Sequence, residues 1–325
     1  MLTARILAVA ASCLLSVVAA ALAGDIPSPA EVLLIPNSGA NTGMAFSAED
    51  GSLLNAQFIP DPGSMDGVTF NRPLHAVASA WGTILVSDQL RHIVAEFDWE
   101  GNYIRIFAPA GGPDQQVLRN VRGLAVHPSG DVLVSNVGQT IGMTANAIAR
   151  FQQDGTMVEP FIFERYGGIS GPFSVLLSDD MALVAAEGTN FVARYGPDGS
   201  FEELFARDVD FPQQLAEAAD GNILLAVFSG GYIAEYERDG TLVGQYSAGL
   251  AGFRGVAELG NGNLLVTSST GVHEINRQGQ LVETEFASSE MRYIERVTLP
   301  EAAIQRVTKA PGPVAADPAD TETTP

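Results

Sequence analysis

One short motif recurs six times along the 325-residue chain: an aromatic or aliphatic residue, a polar turn ending in glycine, then a strand-like run. The six copies are Phe46…Gly51, Phe97…Gly101, Phe151…Gly155, Tyr195…Gly199, Tyr236…Gly240 and Ile275…Gly279. Their first residues lie 51, 54, 44, 41 and 39 positions apart by subtraction. A unit of about 40–50 residues made of short strands cannot bury its own apolar face, so copies stack around a ring. The chain is therefore expected to be all-β, a six-bladed β-propeller.

Each repeat reads as four strands. The first alternates, as in 123–126, 174–177 and 255–258, and ends in a hairpin turn such as Ser129-Gly130, Asp220-Gly221 or Asn261-Gly262. The second is continuously apolar, as in Ile84-Leu85-Val86, Val132-Leu133-Val134 and Leu264-Leu265-Val266, which means burial on both faces between blades. The third has the register Val94-Ala95-Glu96-Phe97 or Ile233-Ala234-Glu235-Tyr236, and the glycine turn leads into the fourth. The first repeat lacks its first strand. Residues 292–297 align with the first strand at 254–258, so the C-terminal strand is expected to complete the N-terminal blade and close the ring. No further repeat supports a seventh blade.

The ends differ in kind from the repeats. Arg5, the apolar stretch 6–20 and Ala21-Leu22-Ala23 read as a signal peptide, 1–23, cleaved after Ala23. A transmembrane anchor is disfavoured because no positive stop-transfer cluster follows, and Cys13 lies inside the apolar run rather than at a lipidation site. Cys13 is the only cysteine, so the mature chain has no thiol chemistry, and about 280 residues supply its core instead. The propeller is expected over 24–300. A C-terminal extension follows over 301–325, disordered from about residue 310, where proline and acids replace any apolar period.

The formal charge is −21, and Lys309 is the only lysine. That balance suits a secreted or periplasmic protein and argues against nucleic acid and anionic membrane as partners. A monomer is expected.

The repeat register over about 31–300 resembles the NHL-repeat and gluconolactonase-like six-bladed propellers. The clearest pieces are Pro73-x-x-apolar-Ala, Gly-Leu-Ala-Val-x-Pro-x-Gly at 123–130, and the Ser-Asp…Arg-His-Ile-Val-x-x-Phe run from Ser87 to Phe97. The resemblance implies fold more than activity, since propellers host unrelated functions. Gluconolactonase-like hydrolases use carboxylates and asparagine around a channel calcium. Peptidylglycine amidating lyase uses zinc-binding histidines at several first-strand starts.

Within such a ring, the strand 1–2 and 3–4 turns share one face and are short here. Length variation falls on the other face, at 59–72, 108–120, 137–146 and 162–172, where a site is expected. That face meets the channel mouth at the first-strand starts, Leu74, Arg122, Phe173, Gln213, Arg254 and Arg292, followed by His75, Gly123, Ser174, Gln214, Gly255 and Tyr293.

Arg122, Arg254 and Arg292 make a positive spot whose guanidinium forks suit carboxylates or phosphates, with Gln213, Gln214 and His75 beside them. The competing reading is that each arginine pairs with a nearby acid and fills the channel. His75 is the one catalytic candidate, and no second histidine or carboxylate aligns at the mouth to orient it. His127 falls at a tight turn, and His92 and His273 on third strands. Asp88, Asn136 and Glu187 end second strands and are candidates for a hard cation, Ca or Mg, or for turn caps.

The function expected is a binding protein for a small anionic ligand or a protein partner on the long-loop face. The alternative is a divergent metal-dependent hydrolase or lyase of the gluconolactonase or streptogramin-lyase type.

Overall fold

The second strand of each repeat is the most apolar stretch of its blade, and every neighbouring feature follows from burying it. A computed structural model describes residues 31–63, 69–138 and 145–307. The expected signal peptide, the tail from residue 310, and parts of the 59–72 and 137–146 loops lie outside the described residues.

Blade 1 holds β1 (Glu31–Asn37), β2 (Thr42–Ser47) and β3 (Leu53–Ile59). Blade 2 holds β4 (Pro73–Ala78), β5 (Ile84–Asp88), β6 (Ile93–Phe97) and β7 (Tyr103–Ala108). Blade 3 holds β8 (Val121–Val126), β9 (Val132–Asn136) and β10 (Ala147–Phe151). Blade 4 holds β11 (Pro172–Ser178), β12 (Met181–Ala186), β13 (Phe191–Tyr195) and β14 (Phe201–Ala206). Blade 5 holds β15 (Pro212–Glu217), β16 (Ile223–Val227), β17 (Tyr232–Tyr236) and β18 (Leu242–Tyr246). Blade 6 holds β19 (Gly255–Glu258), β20 (Leu264–Thr267), β21 (Gly271–Ile275) and β22 (Leu281–Ala287). Last comes β23 (Glu295–Thr298), which pairs antiparallel with β1, Glu31 opposite Thr298 and Leu34 opposite Glu295, and closes the ring.

Strands β5, β9, β12, β16 and β20 are buried along their whole length, as the Val/Ile/Leu runs require. The repeated glycines are explained by the turn they occupy. All six have positive φ, a left-handed turn conformation. At Gly155 a Cβ would also stand 1.8 Å from the Phe107 carbonyl oxygen of the preceding blade.

Two details differ from the expected plan. Blade 3 has three strands rather than four. Its fourth place is taken by single bridges, Ile148 to Ile162 and Phe151 to Met157, because Pro160 interrupts the segment and has no amide to donate. After the ring closes, a short helix, α1 (Glu301–Val307), follows Pro300 and buries Ala303, Ile304 and Val307 in the cluster beneath β3. Arg306 donates to the Phe58 carbonyl at 2.9 Å and Asn55 to the Arg306 carbonyl at 3.0 Å.

The inner strands share a further device. The ladder between first and second strands slips at the mouth end of β4, β8, β11 and β15, between Pro73/His75, Val121/Leu124, Pro172/Ser174 and Pro212/Leu215. A bulge leaves the residues inside it unpaired and re-aims them. Those residues are Leu74, Arg122-Gly123, Phe173 and Gln213-Gln214, which supply four of the six positions aligned at the mouth from sequence; the ladders at Arg254 and Arg292, in blades 6 and 1, carry no such slip.

Candidate anion site at the channel mouth

Arg122, Arg254 and Arg292 do come together, and a fourth arginine joins them. Arg72 stands immediately before Pro73 and β4, and its charge acts on all three. Repeat alignment missed it because it precedes the residue taken as equivalent. The cue available was its place one residue before the proline that opens the strand.

Each of the three feels burial first. Desolvation lowers Arg122 and Arg292 to about 10 and lowers Arg254, and the neighbouring Arg72 charge pushes the same way. Glu187 opposes the shift at Arg122, and Glu290 opposes it at Arg254 and Arg292. Four guanidiniums thus face two carboxylates.

Their partners are unequal. Arg292 is paired with Glu290, and its Nε donates to Ser38 Oγ at 2.7 Å. Arg254 donates to the Ser268 carbonyl at 3.0 Å and lies 5.0 Å over the Phe228 ring. Arg122 lies 4.3 Å over Phe173, and its buried Nε has no hydrogen-bond partner among the described residues. The competing reading therefore holds for Arg292 but not for Arg122.

Tyr293 forms the floor of the mouth. It is fully buried, its hydroxyl donates to the Phe173 carbonyl across the channel at 3.4 Å, and its edge meets the His75 ring at 5.4 Å. Burial pushes its phenol up, against the pull of Arg122 and Arg292.

The glutamines divide. Gln213 is buried beside the mouth with no hydrogen bond to its side-chain amide among the described residues. Gln214 instead ties the ring together: its Oε1 accepts from Val256 and Ile294 amides at 3.2 and 2.8 Å, and its Nε2 donates to the Ile294 carbonyl. Those bonds keep Gln214 from serving as a ligand contact.

His75 also needs correcting. It lies beneath Tyr293, lining the channel rather than the mouth, and a carboxylate does orient it. Its Nδ1 accepts the Leu124 amide at 3.0 Å, so the proton sits on Nε2, which donates to Glu295 Oε2 at 3.1 Å. Glu295 was legible in principle, since strand period two puts it on the same side as Tyr293. His92 lies just before β6 with φ 63°, in a loop rather than on the strand, whereas His273 is within β21 and His127 at its turn.

The cation candidates act as turn caps. Asp88 is fully buried, and its oxygens accept the amides of Asn71, Arg72, Leu90 and Arg91. Asn136 Oδ1 accepts the Arg119 amide at 2.7 Å, and Glu187 opens a one-turn 3₁₀ helix beside Arg122. Among the described residues no three His, Cys, Asp or Glu side chains converge as ligands. The channel calcium or zinc implied by the resemblance does not fit these donors, because the oxygens are already occupied and an arginine neighbours the third.

What the mouth offers chemically is guanidinium forks and a free amide over an aromatic floor. Guanidinium forks and amides are groups whose hydrogen-bonding geometry suits carboxylate and phosphate oxygens. No helix among the described residues is long and apolar enough to cross a membrane.

No protein-family model matches the chain, and no curated protein matches its sequence. Solved structures do match its fold. A gluconolactonase from Xanthomonas campestris is 21% identical with a TM-score of 0.53, over 69% of this chain and 80% of that one. A catalytically inactive virginiamycin B lyase from Staphylococcus aureus, with quinupristin, is 13% identical with a TM-score of 0.54, over 84% and 94%. A chain of a nidogen/laminin complex is 12% identical with a TM-score of 0.60, over 82% and 98%. The chain thus has the six-bladed propeller fold of the gluconolactonase and virginiamycin B lyase structures.

Proposed function

We propose that this propeller is an exported binding protein whose long-loop face takes a small anion, a carboxylate or a phosphate, at the arginine mouth. The observation that carries the reading is the convergence of Arg72, Arg122, Arg254 and Arg292 on two glutamates, with the buried Arg122 Nε unpartnered. Burying cations without enough counter-charge costs stability, and an anion bridging the forks would offset it. Export rests on the pattern of residues 1–23. The metal-dependent hydrolase or lyase reading draws no support from the donors at the mouth.

The test is thermal unfolding with citrate, succinate and phosphate against sodium chloride at equal ionic strength. A ligand at a hundred times its Kd should add about 2.7 kcal/mol to folding. Arg254→Met should abolish the rise in Tm. If none of these anions raises Tm above the chloride control, the mouth is not an anion site.

A further inference from the structure

We propose that the half of the channel below Tyr293 is a second ligand site, one that takes an organic cation: an alkylammonium head on a short apolar body. Beneath the tyrosine lies a chamber of about 220 Å3 whose walls combine aliphatic residues, among them Val77, Leu124, Val126, Leu176 and Leu215, with His75, Ser174, Glu295 and Arg296, the last a guanidinium already paired with Glu31. Leu176, Leu215, Glu295 and Arg296 also line a wider vestibule of about 560 Å3 that opens at the tight-turn face. Cavities of a few hundred Å3 that set a few polar groups into an apolar wall are the usual form of a small-molecule site.

The charge of that site is set by which carboxylates already have cations. Glu31 is paired with Arg296 at 2.8 Å, Glu217 with Arg238 at 3.0 Å and Glu258 with Arg277 at 2.8 Å. Among the described residues Glu295 has no guanidinium partner. Its one partner is the His75 imidazole, whose tautomer is fixed by the Leu124 amide and which contributes a single N–H to Oε2. The other oxygen, Oε1, has no hydrogen bond among the described residues, and the side chain is 36% exposed at the waist between chamber and vestibule.

A carboxylate held by a buried ring, in a chamber whose one guanidinium, Arg296, is already paired with Glu31, favours a cationic N–H donor and repels a carboxylate of the same shape. A lone carboxylate also gives a bare divalent metal too few ligands, so the cation must bring its own apolar body. Tyr293 separates this site from the arginines, and the inference does not rest on the anion reading.

The experiment is calorimetric titration of the full chain with n-hexylammonium, n-hexanol and n-hexanoate at equal ionic strength. Saturable hexylammonium binding is expected, with hexanoate at least tenfold weaker. Glu295→Gln, which keeps the His75 hydrogen bond, should weaken hexylammonium at least tenfold and leave hexanol unchanged. Leu176→Trp, which fills the chamber, should remove both, while Arg254→Met should change neither. Absence of hexylammonium binding to the wild type would overturn the proposal, as would equal hexanoate affinity or an unchanged affinity in the Leu176→Trp variant.

Discussion

At the long-loop end of the channel, four arginines crowd over Tyr293 with two glutamates between them. At the tight-turn end, Glu31, Glu217, Glu258 and Glu295 line the opening, and among the described residues only the last lacks a guanidinium partner. The two ends share the same inner strands, so fold alone does not set their charge. At the long-loop end the bulges of β4, β8, β11 and β15 release residues from the ladder, and side chains there vary without breaking register. At the other end the ladder is intact and the strands alternate, so aliphatic residues fill the wall and charge is confined to the rim. A propeller can thus hold opposite charges at its two mouths with one buried ring between them.

The segment 291–298 contributes to both ends: Arg292 and Tyr293 above, Glu295 below. The largest effect should follow its loss. Truncation from Ser289 removes β23 and exposes the edge of β1, leaving a ring that cannot close, so cooperative unfolding should vanish. Truncation from Glu301 removes α1, its contacts with β3 and the residues after it, and should lower Tm by several degrees with cooperativity kept. Unfolding monitored by far-UV circular dichroism distinguishes the two. Equal melting curves would mean that β23 does not close the ring.

A smaller change sharpens the contrast at the arginine end. Arg122 is held at about 10 by burial, and a base whose folded value is depressed costs stability wherever it is charged. Arg122→Met should therefore raise the ligand-free Tm by an amount worth roughly 1 kcal/mol, and should also erase stabilisation by citrate or phosphate. Binding and stability would then trade against each other at one residue. A fall in Tm would show that the stacking on Phe173 outweighs the desolvation.

The ring, the closing strand and three of the four mouth arginines were legible because each is written in a repeat. Glycine turns, apolar second strands and the 292–297 run all compare copy with copy. What escaped lay outside that comparison. Arg72 falls just before its aligned position. The His75–Glu295 pair joins blades 2 and 1, residues 220 positions apart, and no local pattern reports a contact of that kind. Gln214 looked like a mouth residue because a bulge changes where a side chain goes without changing its place in the repeat. The missing fourth strand of blade 3 was signalled by Pro160, which breaks the run between Met157-Val158 and Phe161-Ile162-Phe163.

The smallest effect is the response of stability to mild acid. The arginines titrate near 10 where a value is resolved, far above that range. The mild-acid response should come instead from His273 and His92, whose values are lowered from 6.5 chiefly by burial. His273 sits within hydrogen-bond distance of the Ser268, Thr270 and Thr284 hydroxyls, outside the channel. Because its folded value lies below its unfolded one, the unfolded chain binds more protons between the two. Stability from the neutral ring is thus present above about pH 6.5 and is lost as pH falls toward the folded value. Buried carboxylates such as Glu96 and Glu235 are lowered from 4.5, so their protonation adds at more acidic pH and leaves a window between about pH 6.5 and 5 to the histidines. In that window Tm should decline, His273→Gln should flatten most of the slope and His92→Gln a smaller part, since His273 carries no compensating contact that raises it. An unaltered slope in both variants would show that neither His273 nor His92 sets the mild-acid response.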